Sequence, residues 1–365
     1  VKRKDRGTIH LVYPFYPHYR AEVFHALRDA GVVDRFTFGD SSPPLDPIPL
    51  GDAAALDAVV LKNHWRGNLH LRQAGLLRGI RRSRAEWAVF LGGANSAAYW
   101  VAAIYARLLG RKVAFWTIGW HRPESGLKRR VRLTFYRLAH VLLLYADHGK
   151  RLGVAHGYPE GRMFVIGNSV GGGPVDLPNR AHGRVVFGAV ARLNERKRFD
   201  LLIRAVAELA RRGTVAEVWL AGEGEVSEDL ETLAAELGVV LRMPGPIYAD
   251  SELASFYEGL TATVVPDAAG LTVIQSLRFG VPVVTHGDLD AQMPEAAAVR
   301  PGGTGLHFAQ GDAASLADAL EQTVDWRSEV GDGVIASNCH EELLARWTAE
   351  STRDRVVEAL GLGRG

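Results

Sequence analysis

The sequence predicts an α/β protein made of two Rossmann-like, doubly wound domains in tandem. Three observations predict it. Short β-rich runs alternate with helical patterns along the whole chain, the sign of parallel sheets with crossover helices. A Gly- and Pro-rich run without apolar periodicity, NSVGGGPVDLPNRAHG from Asn168 to Gly183, reads as a linker between two such stretches. The length of 365 residues suits two domains of ordinary size, each able to bury its own core. The limits expected are 1–180, 181–335 and a C-terminal helical segment, 336–365.

In the first domain the expected strands are Thr8–Tyr13, Arg35–Phe38, Ala58–Leu61, Trp87–Leu91, Lys112–Trp116, Val141–Tyr145 and Phe164–Ile166. Helical periodicity covers Tyr19–Ala30 and Ser96–Leu109. The first strand leads into an aromatic and Pro loop holding Tyr16, His18, Tyr19 and Arg20. Gly92, Gly93 and Asn95 form a strand-exit loop, readable as a ligand contact or as a plain turn. The run WTIGWHRPESG carries His121 in a similar position. An exposed His there is either a ligand contact or incidental. Open parallel sheets bind ligands beyond the carboxyl ends of their strands, so these loops are candidates for a site.

In the second domain the expected strands are Val185–Val190, Glu217–Ala221, Val239–Met243, Ala262–Val265 and Val281–Thr285. After the first of them, Arg192 and Lys197 precede an amphipathic helix from about Asp200. A planar guanidinium and a point-charge ammonium there make a diphosphate clamp, or are two surface cations near a helix start. LAGEGE, from Leu220, places Gly222 and Gly224 in a strand-to-helix loop. It lacks the third glycine of a dinucleotide fingerprint. VVPDAAGLTVIQSLRFGVPVVTH, from Val264, reads as strand, Pro turn, Gly-led loop, helix and second strand. Gly270 opens the loop and the helix begins near Leu271. Its N-terminus offers free N–H donors and partial positive charge to an anionic or hydroxyl-rich ligand. Asp267 is suited to helix capping as well as to ligand contact, and Gln275 to a surface amide as well as to a ligand. Asp288, Asp290 and Glu295 match no calcium loop, and Pro294–Glu295 reads as a helix start.

Composition narrows the function classes. Hydrophobic content of 47% and charged content of 23% fit a soluble globular protein. One cysteine, Cys339, allows no intrachain disulfide, which favours a reducing, cytoplasmic setting. No apolar run approaches the roughly 20 residues of a membrane span, and the basic N-terminus does not pattern as a signal peptide. No nucleic-acid-binding module is recognisable. The net charge of +2 conceals a division. Residues 1–180 carry 27 Lys+Arg against 13 Asp+Glu, a net +14; residues 181–365 carry 16 against 28, a net −12. The cations concentrate in Arg78–Arg84 and in LKRRVRLTFYR, Leu127–Arg137. There Leu127, Val131, Phe135 and Leu138 recur at helical spacing among Lys128, Arg129, Arg130 and Arg132. The pattern is that of a solvated helix face, or of a helix lying on an anionic membrane.

Pro266, Asp267, Gly270, Gln275, Gly280 and Pro282, with Arg192 and Lys197 before a helix, resemble the signature of the retaining glycosyltransferases of family 4 (group 1 glycosyl transferases). The resemblance covers most of the chain and is sharpest from about 185 to 310. It departs at the two motif glutamates, here Asp267 and Gln275. The resemblance implies the GT-B fold, two Rossmann-like domains facing across a cleft, with the C-terminal helix crossing back to the first domain. It implies a retaining transfer of a sugar from a nucleoside-diphosphate donor to a hydroxyl acceptor, without a metal or other cofactor. By the same resemblance Arg192, Lys197, Asp267 and His121 are catalytic. Gly222, Gly224, Pro246, Ile247, Gly270, Leu271, Thr272 and Gln275 bind the donor, Asp267 meeting a sugar hydroxyl and Gln275 the ribose. Tyr16, His18, Tyr19, Arg20 and Asn95 lie on the acceptor side. The basic first domain adds an expected acceptor: a glycan that is anionic or lipid-linked, met at the inner face of a membrane. A catalytically silent nucleotide-sugar-binding subunit and a sugar-nucleotide epimerase are the other readings of the same residues.

Overall fold

The computed structural model describes residues 8–45, 47–177 and 183–362. The chain divides into two compact units, Val1–Gly171 with Thr348–Gly365, and Gly172–Trp347. Part of the expected linker, 178–182, lies outside the described residues, as do 1–7 at the basic N-terminus.

The first unit contains β1 (Ile9–Tyr13), α1 (Ala21–Asp29), β2 (Val33–Gly39), β3 (Val59–Leu61), β4 (Asn63–Arg66), β5 (Leu69–Gln73), α2 (Leu76–Arg82), β6 (Trp87–Leu91), α3 (Ala97–Leu108), β7 (Lys112–Thr117), α4 (Gly126–Tyr136), β8 (Val141–Leu144), α5 (Asp147–Ala155) and β9 (Met163–Val165). Seven strands form a parallel sheet in the order β3-β2-β1-β6-β7-β8-β9. Both faces are covered, so the strands read as unbroken apolar runs. Alternate residues still part to opposite sides. Leu11, Tyr13, Val89, Trp116 and Leu143 join one core, while Val12, Phe90, Phe115, Leu142 and Leu144 join the other. β4 and β5 form an antiparallel hairpin apart from the sheet, which the sequence reading did not anticipate. His70 on it reaches Ser96 and Asn63, which ties the hairpin to the start of α3.

The second unit contains β10 (Val185–Val190), α6 (Phe199–Arg211), β11 (Ala216–Ala221), α7 (Ser227–Leu237), β12 (Val240–Arg242), α8 (Asp250–Glu258), β13 (Ala262–Val264), α9 (Leu271–Arg278), β14 (Val283–His286), β15 (Gly305–Phe308), α10 (Ala313–Val330) and α11 (Asp332–Arg346). Its sheet is parallel, in the order β12-β11-β10-β13-β14-β15. The order reverses between β10 and β13, and the loops leaving those two strands diverge to opposite sides. That is the switch point where open α/β sheets receive ligands.

The expected return segment 336–365 is divided rather than single. α11 stays in the second unit: Ile335, Cys339 and Leu343 form its buried stripe, and Gly280 sits close against Ala336. Only α12 (Ala349–Ala359) belongs to the first unit. Thr348 caps it by accepting the Ser351 N–H at 3.1 Å. Ala349, Val356 and Leu360 enter the same core as Phe24 of α1. Val356→Asp should therefore destabilise the first unit by about 3 kcal/mol or more, since a carboxylate there is buried without a partner. Denaturant unfolding followed on both units should show an earlier transition in the first and an unmoved one in the second.

Candidate active site

The site is built where β10 and β13 diverge. Past β10, residues Glu195–Lys197 form a 3₁₀ turn that ends at Arg198, held at φ 54°. Past β13, the chain turns through Ala268 at φ 47° and reaches Gly270 at φ 54° and ψ −152°, a conformation open essentially to glycine alone. Gly270 is the N-cap of α9, so Asp267 does not serve as its cap.

Lys197 joins the two loops. Its Nζ donates to the carbonyl of Ala268 at 2.5 Å and points to that of Ala269 at 3.4 Å. Its own carbonyl accepts the N–H of Asp267 at 3.2 Å. Burial lowers its pKa to about 8, against the opposing fields of Glu295 and Asp267. An ammonium has three donors, so a further anion can still be bound. Arg192 stands exposed two residues beyond β10.

Asp267 is held by two donors. Its Oδ1 accepts the Ala268 N–H at 2.6 Å and faces His286 Nε2 at 3.4 Å. His286 is fully buried, and its Nδ1 accepts the Asp288 N–H at 3.2 Å. That acceptance leaves the proton on Nε2, directed at the carboxylate. Gln275 lies one turn into α9, where its Oε1 accepts the hydroxyl of Tyr257 at 3.2 Å. Thr272 donates to the Val190 carbonyl at 3.2 Å, which pins the start of α9 to the end of β10. Leu271, beside it, is half-buried at the first position of the helix. Gln292 closes the far side: its Oε1 accepts Ala269 N–H at 3.0 Å, and its Nε2 donates to Thr285 at 2.7 Å.

Several expected site residues have other duties. A Cβ on Gly222 would collide with the Ala191 carbonyl, and one on Gly224 with that of Leu193. These glycines let the loop after β11 lie against the loop after β10, where Leu193 N–H bonds the Glu223 carbonyl at 2.9 Å. Ile247 packs against the core of Leu253, Phe256 and Tyr257, while Pro246 beside it is exposed. In the first unit, Tyr16 is buried with its ring stacked on Phe38 at 4.8 Å, which corrects its expected place facing an acceptor. Arg20 is likewise buried: it donates to Tyr145 Oη at 2.6 Å and lies over the Trp116 ring. His18 is exposed and Tyr19 half-buried, so these two are what that loop shows to solvent. Asn95 is exposed, and its amide approaches the Asn68 carbonyl at 3.4 Å. His121 is half-buried in a loop pinned by α4, where Arg132 and Tyr136 both donate to the Gly119 carbonyl.

Thus the structure brings Lys197, Asp267, Gly270, Leu271, Thr272 and Gln275 together at one sheet edge. His286, Gln292 and Tyr257 support them and were missed. The available signal was positional, since His286 closes the strand next to that of Asp267. Pro294–Ala298 is a short 3₁₀ turn, with Glu295 buried toward Lys197. Among the described residues no group of three or more His, Cys, Asp or Glu is placed to hold a metal.

The arrangement offers a fixed cation and a helix N-terminus to an anion, and a carboxylate to a hydroxyl. The pH dependence follows from Lys197. Below about pH 8 the free protein presents an ammonium, and above it binding must first reprotonate the amine. Affinity for a small phosphate anion at this point should hold near pH 7 and then fall above pH 8, by up to about tenfold per unit. Lys197→Arg should flatten that fall, read by calorimetry across pH 7 to 9.5.

Comparison with known proteins finds similarity to glycosyltransferases. Residues 178–329 match the family model of glycosyl transferases group 1. The chain is similar to the lipopolysaccharide core biosynthesis glycosyltransferase LpsE of Rhizobium meliloti (strain 1021), 30% identical over 203 residues, covering 55% of this chain and 54% of the relative. It is also similar to the D-inositol 3-phosphate glycosyltransferase of Frankia alni, 36% identical over 163 residues, 40% of this chain and 39% of the relative. The chain thus spans about half the length, or less, of these curated relatives. The solved lipopolysaccharide outer core galactosyltransferase WaaB, in its apo form, superposes with a TM-score of 0.70 at 15% identity, over 97% of this chain and 99% of that one. The two Rossmann-like units therefore have the GT-B fold.

Proposed function

We propose that this chain, whose second unit carries a group 1 glycosyltransferase domain, moves a sugar from a nucleoside diphosphate to an acceptor hydroxyl with retention at the anomeric carbon. The observation that carries the reading is Lys197, set with Asp267 and the N-terminus of α9 at the β10/β13 switch point. The donor diphosphate lies against that helix end. Lys197 and Arg192 stabilise the charge that builds as the bond from the anomeric carbon to the phosphate oxygen breaks. Asp267 receives a sugar hydroxyl and Gln275 the ribose. The acceptor oxygen bonds the anomeric carbon from the face the phosphate leaves, and its proton passes to the departing phosphate oxygen. No separate general base is required in that scheme. Cations of the chain carry the diphosphate, so the reaction needs no bound metal.

The acceptor is a glycan, anionic or lipid-linked, in polysaccharide or glycoconjugate synthesis. The protein acts in the cytoplasm or at the inner face of its membrane. His18, Tyr19, Asn95 and His121, the first-unit loop residues that are exposed or half-buried, are the groups proposed to meet the acceptor. The relatives that act on lipopolysaccharide core and on inositol phosphate support an acceptor of this kind. The substitution of Gln275 for a motif glutamate favours one alternative, a subunit that binds nucleotide-sugar without transferring it.

Calorimetry with UDP, GDP, dTDP and ADP should find one nucleotide selected. Lys197→Ala should weaken it by at least about 30-fold, the effect of losing a charged partner in a half-buried site. Sugar transfer from the matching donor should survive EDTA undiminished. Binding without transfer to any acceptor would move the silent reading ahead, and binding of none would reject the donor site.

A further inference from the structure

The outer faces of α3 and α4 are apolar where a solvated helix would be polar. On α3, Val101, Ile104 and Leu108 are exposed by 56%, 45% and 79%. They fall at i, i+3 and i+7, one stripe of the helix. On α4, Leu127 is exposed by 75% and Val131 by 42%, at i and i+4. Both helices bury their opposite sides in one core, with Tyr99, Ala102 and Ala106 from α3 and Leu133 and Phe135 from α4. They therefore cover the same face of the sheet, and their free sides turn outward together. They are neighbours as well: the rings of Trp100 and Phe135 are 5.0 Å apart, and Arg107 donates to the Leu138 carbonyl at 3.0 Å.

Charge accompanies the apolar stripes with one sign. Neither helix contains an Asp or Glu, while Arg107, Lys128, Arg129, Arg130 and Arg137 are exposed on or beside them. Glu124, the nearest acid before α4, is already held by Arg132 at 2.8 Å and Lys128 at 3.2 Å. The unit as a whole carries 29 Lys+Arg against 15 Asp+Glu, a net +14. No helix among the described residues is long and apolar enough to cross a membrane.

We propose that the α3–α4 face seats the first unit on an anionic lipid bilayer, with the apolar stripe entering the headgroup boundary and the arginines meeting lipid phosphates. The pairing of exposed apolar side chains with an excess of cations is the signature of interfacial binding. A second copy of this chain fits poorly, because like faces would set cation against cation. The inference rests on this surface alone and is independent of the donor-site reading.

The test is flotation of the full chain with vesicles of phosphatidylcholine, with or without 30% phosphatidylglycerol (roughly the anionic content needed for a strong surface potential). The wild type should float with the anionic vesicles, at least about tenfold more tightly than with the neutral ones, and less at high salt. Arg130→Gln with Arg137→Gln should weaken binding by roughly 20-fold. Val101→Ser with Leu108→Ser should lose the vesicles while gaining solubility. Arg28→Gln, at an exposed cation of α1, should change nothing. Binding equal on both vesicles, or unmoved by either double variant, would overturn the proposal. So would a wild-type dimer in solution that the Val101 and Leu108 variant turns into monomer. Circular dichroism of the variants guards against loss of fold, and no step depends on sugar transfer.

Discussion

An ammonium withdrawn from bulk water needs oxygen around it, and Lys197 finds that oxygen on the backbone of another loop. Its bonds to the Ala268 and Ala269 carbonyls, answered by the Asp267 N–H on its own carbonyl, join the exits of β10 and β13. Those strands are adjacent in the sheet but distant in sequence, and their connections leave in opposite directions. Together with the Thr272 bond to the Val190 carbonyl, this tie keeps the crevice from being two independent loops. With it, the turn that holds Ala268 and Gly270 at positive φ is fixed by the group proposed to meet the anion. Burial favours the neutral amine of Lys197 and lowers its pKa to about 8, while Glu295 and Asp267 act to keep the charge. On the proposed function, an arriving diphosphate would add negative charge that favours the ammonium.

The surrounding contacts serve the same end. Gly222 and Gly224 allow the loop after β11 to lie on the loop after β10, so the cation-bearing turn is supported from its other side. Thr272 and Gln292 hold the start of α9 and the Ala269 amide. His286 directs its proton at Asp267, a carboxylate one methylene shorter than the motif glutamate. Both donors to that carboxylate, His286 and the Ala268 N–H, meet Oδ1. Gln275 accepts the Tyr257 hydroxyl. The departures from the family's signature are thus each met by a partner in this fold.

The parallel sheets were legible because each strand is buried on both faces and so is written as a solid apolar run. Val185–Val190 and Trp87–Leu91 needed no correction. β15 escaped because Gly305–Phe308 is four residues long and includes a His. The β4–β5 hairpin escaped because its exposed, alternating residues suit a loop as well as a strand. Lys197, Asp267 and Gly270 were legible from their place after strands and before helices. Tyr16 and Arg20 were read as site residues for the same reason, and both are buried. A strand-exit position says that a loop is near a site, but not which side chains turn inward to the core. Arg20 is a charged residue whose burial rests on Tyr145 and the Trp116 ring, partners 125 and 96 positions away, and no local pattern carries that information. His286 was invisible for the converse reason, since its value lies in a carboxylate 19 positions back.

The charge division between the units has a physical consequence for the donor site. The second unit is net −12, counted on Gly172–Trp347, yet it is the one that would hold a diphosphate. At physiological salt, fields from exposed charges fade within about 8 Å, so the net charge of a unit does not decide what one crevice binds. Close range decides it, where Lys197 and the end of α9 act with little intervening water. The Asp–Gln pair also leaves one fewer negative charge there than two glutamates would. An acidic unit with a cationic crevice would repel polyanions in general while accepting a small anion that fits that point. The first unit, at +14 and with its apolar α3–α4 face, has the opposite design: broad attraction to an extended anionic surface. On these terms the two halves of one chain differ in what they admit. On the readings proposed above, one would recognise a single phosphate pair by geometry, and the other a surface by summed charge.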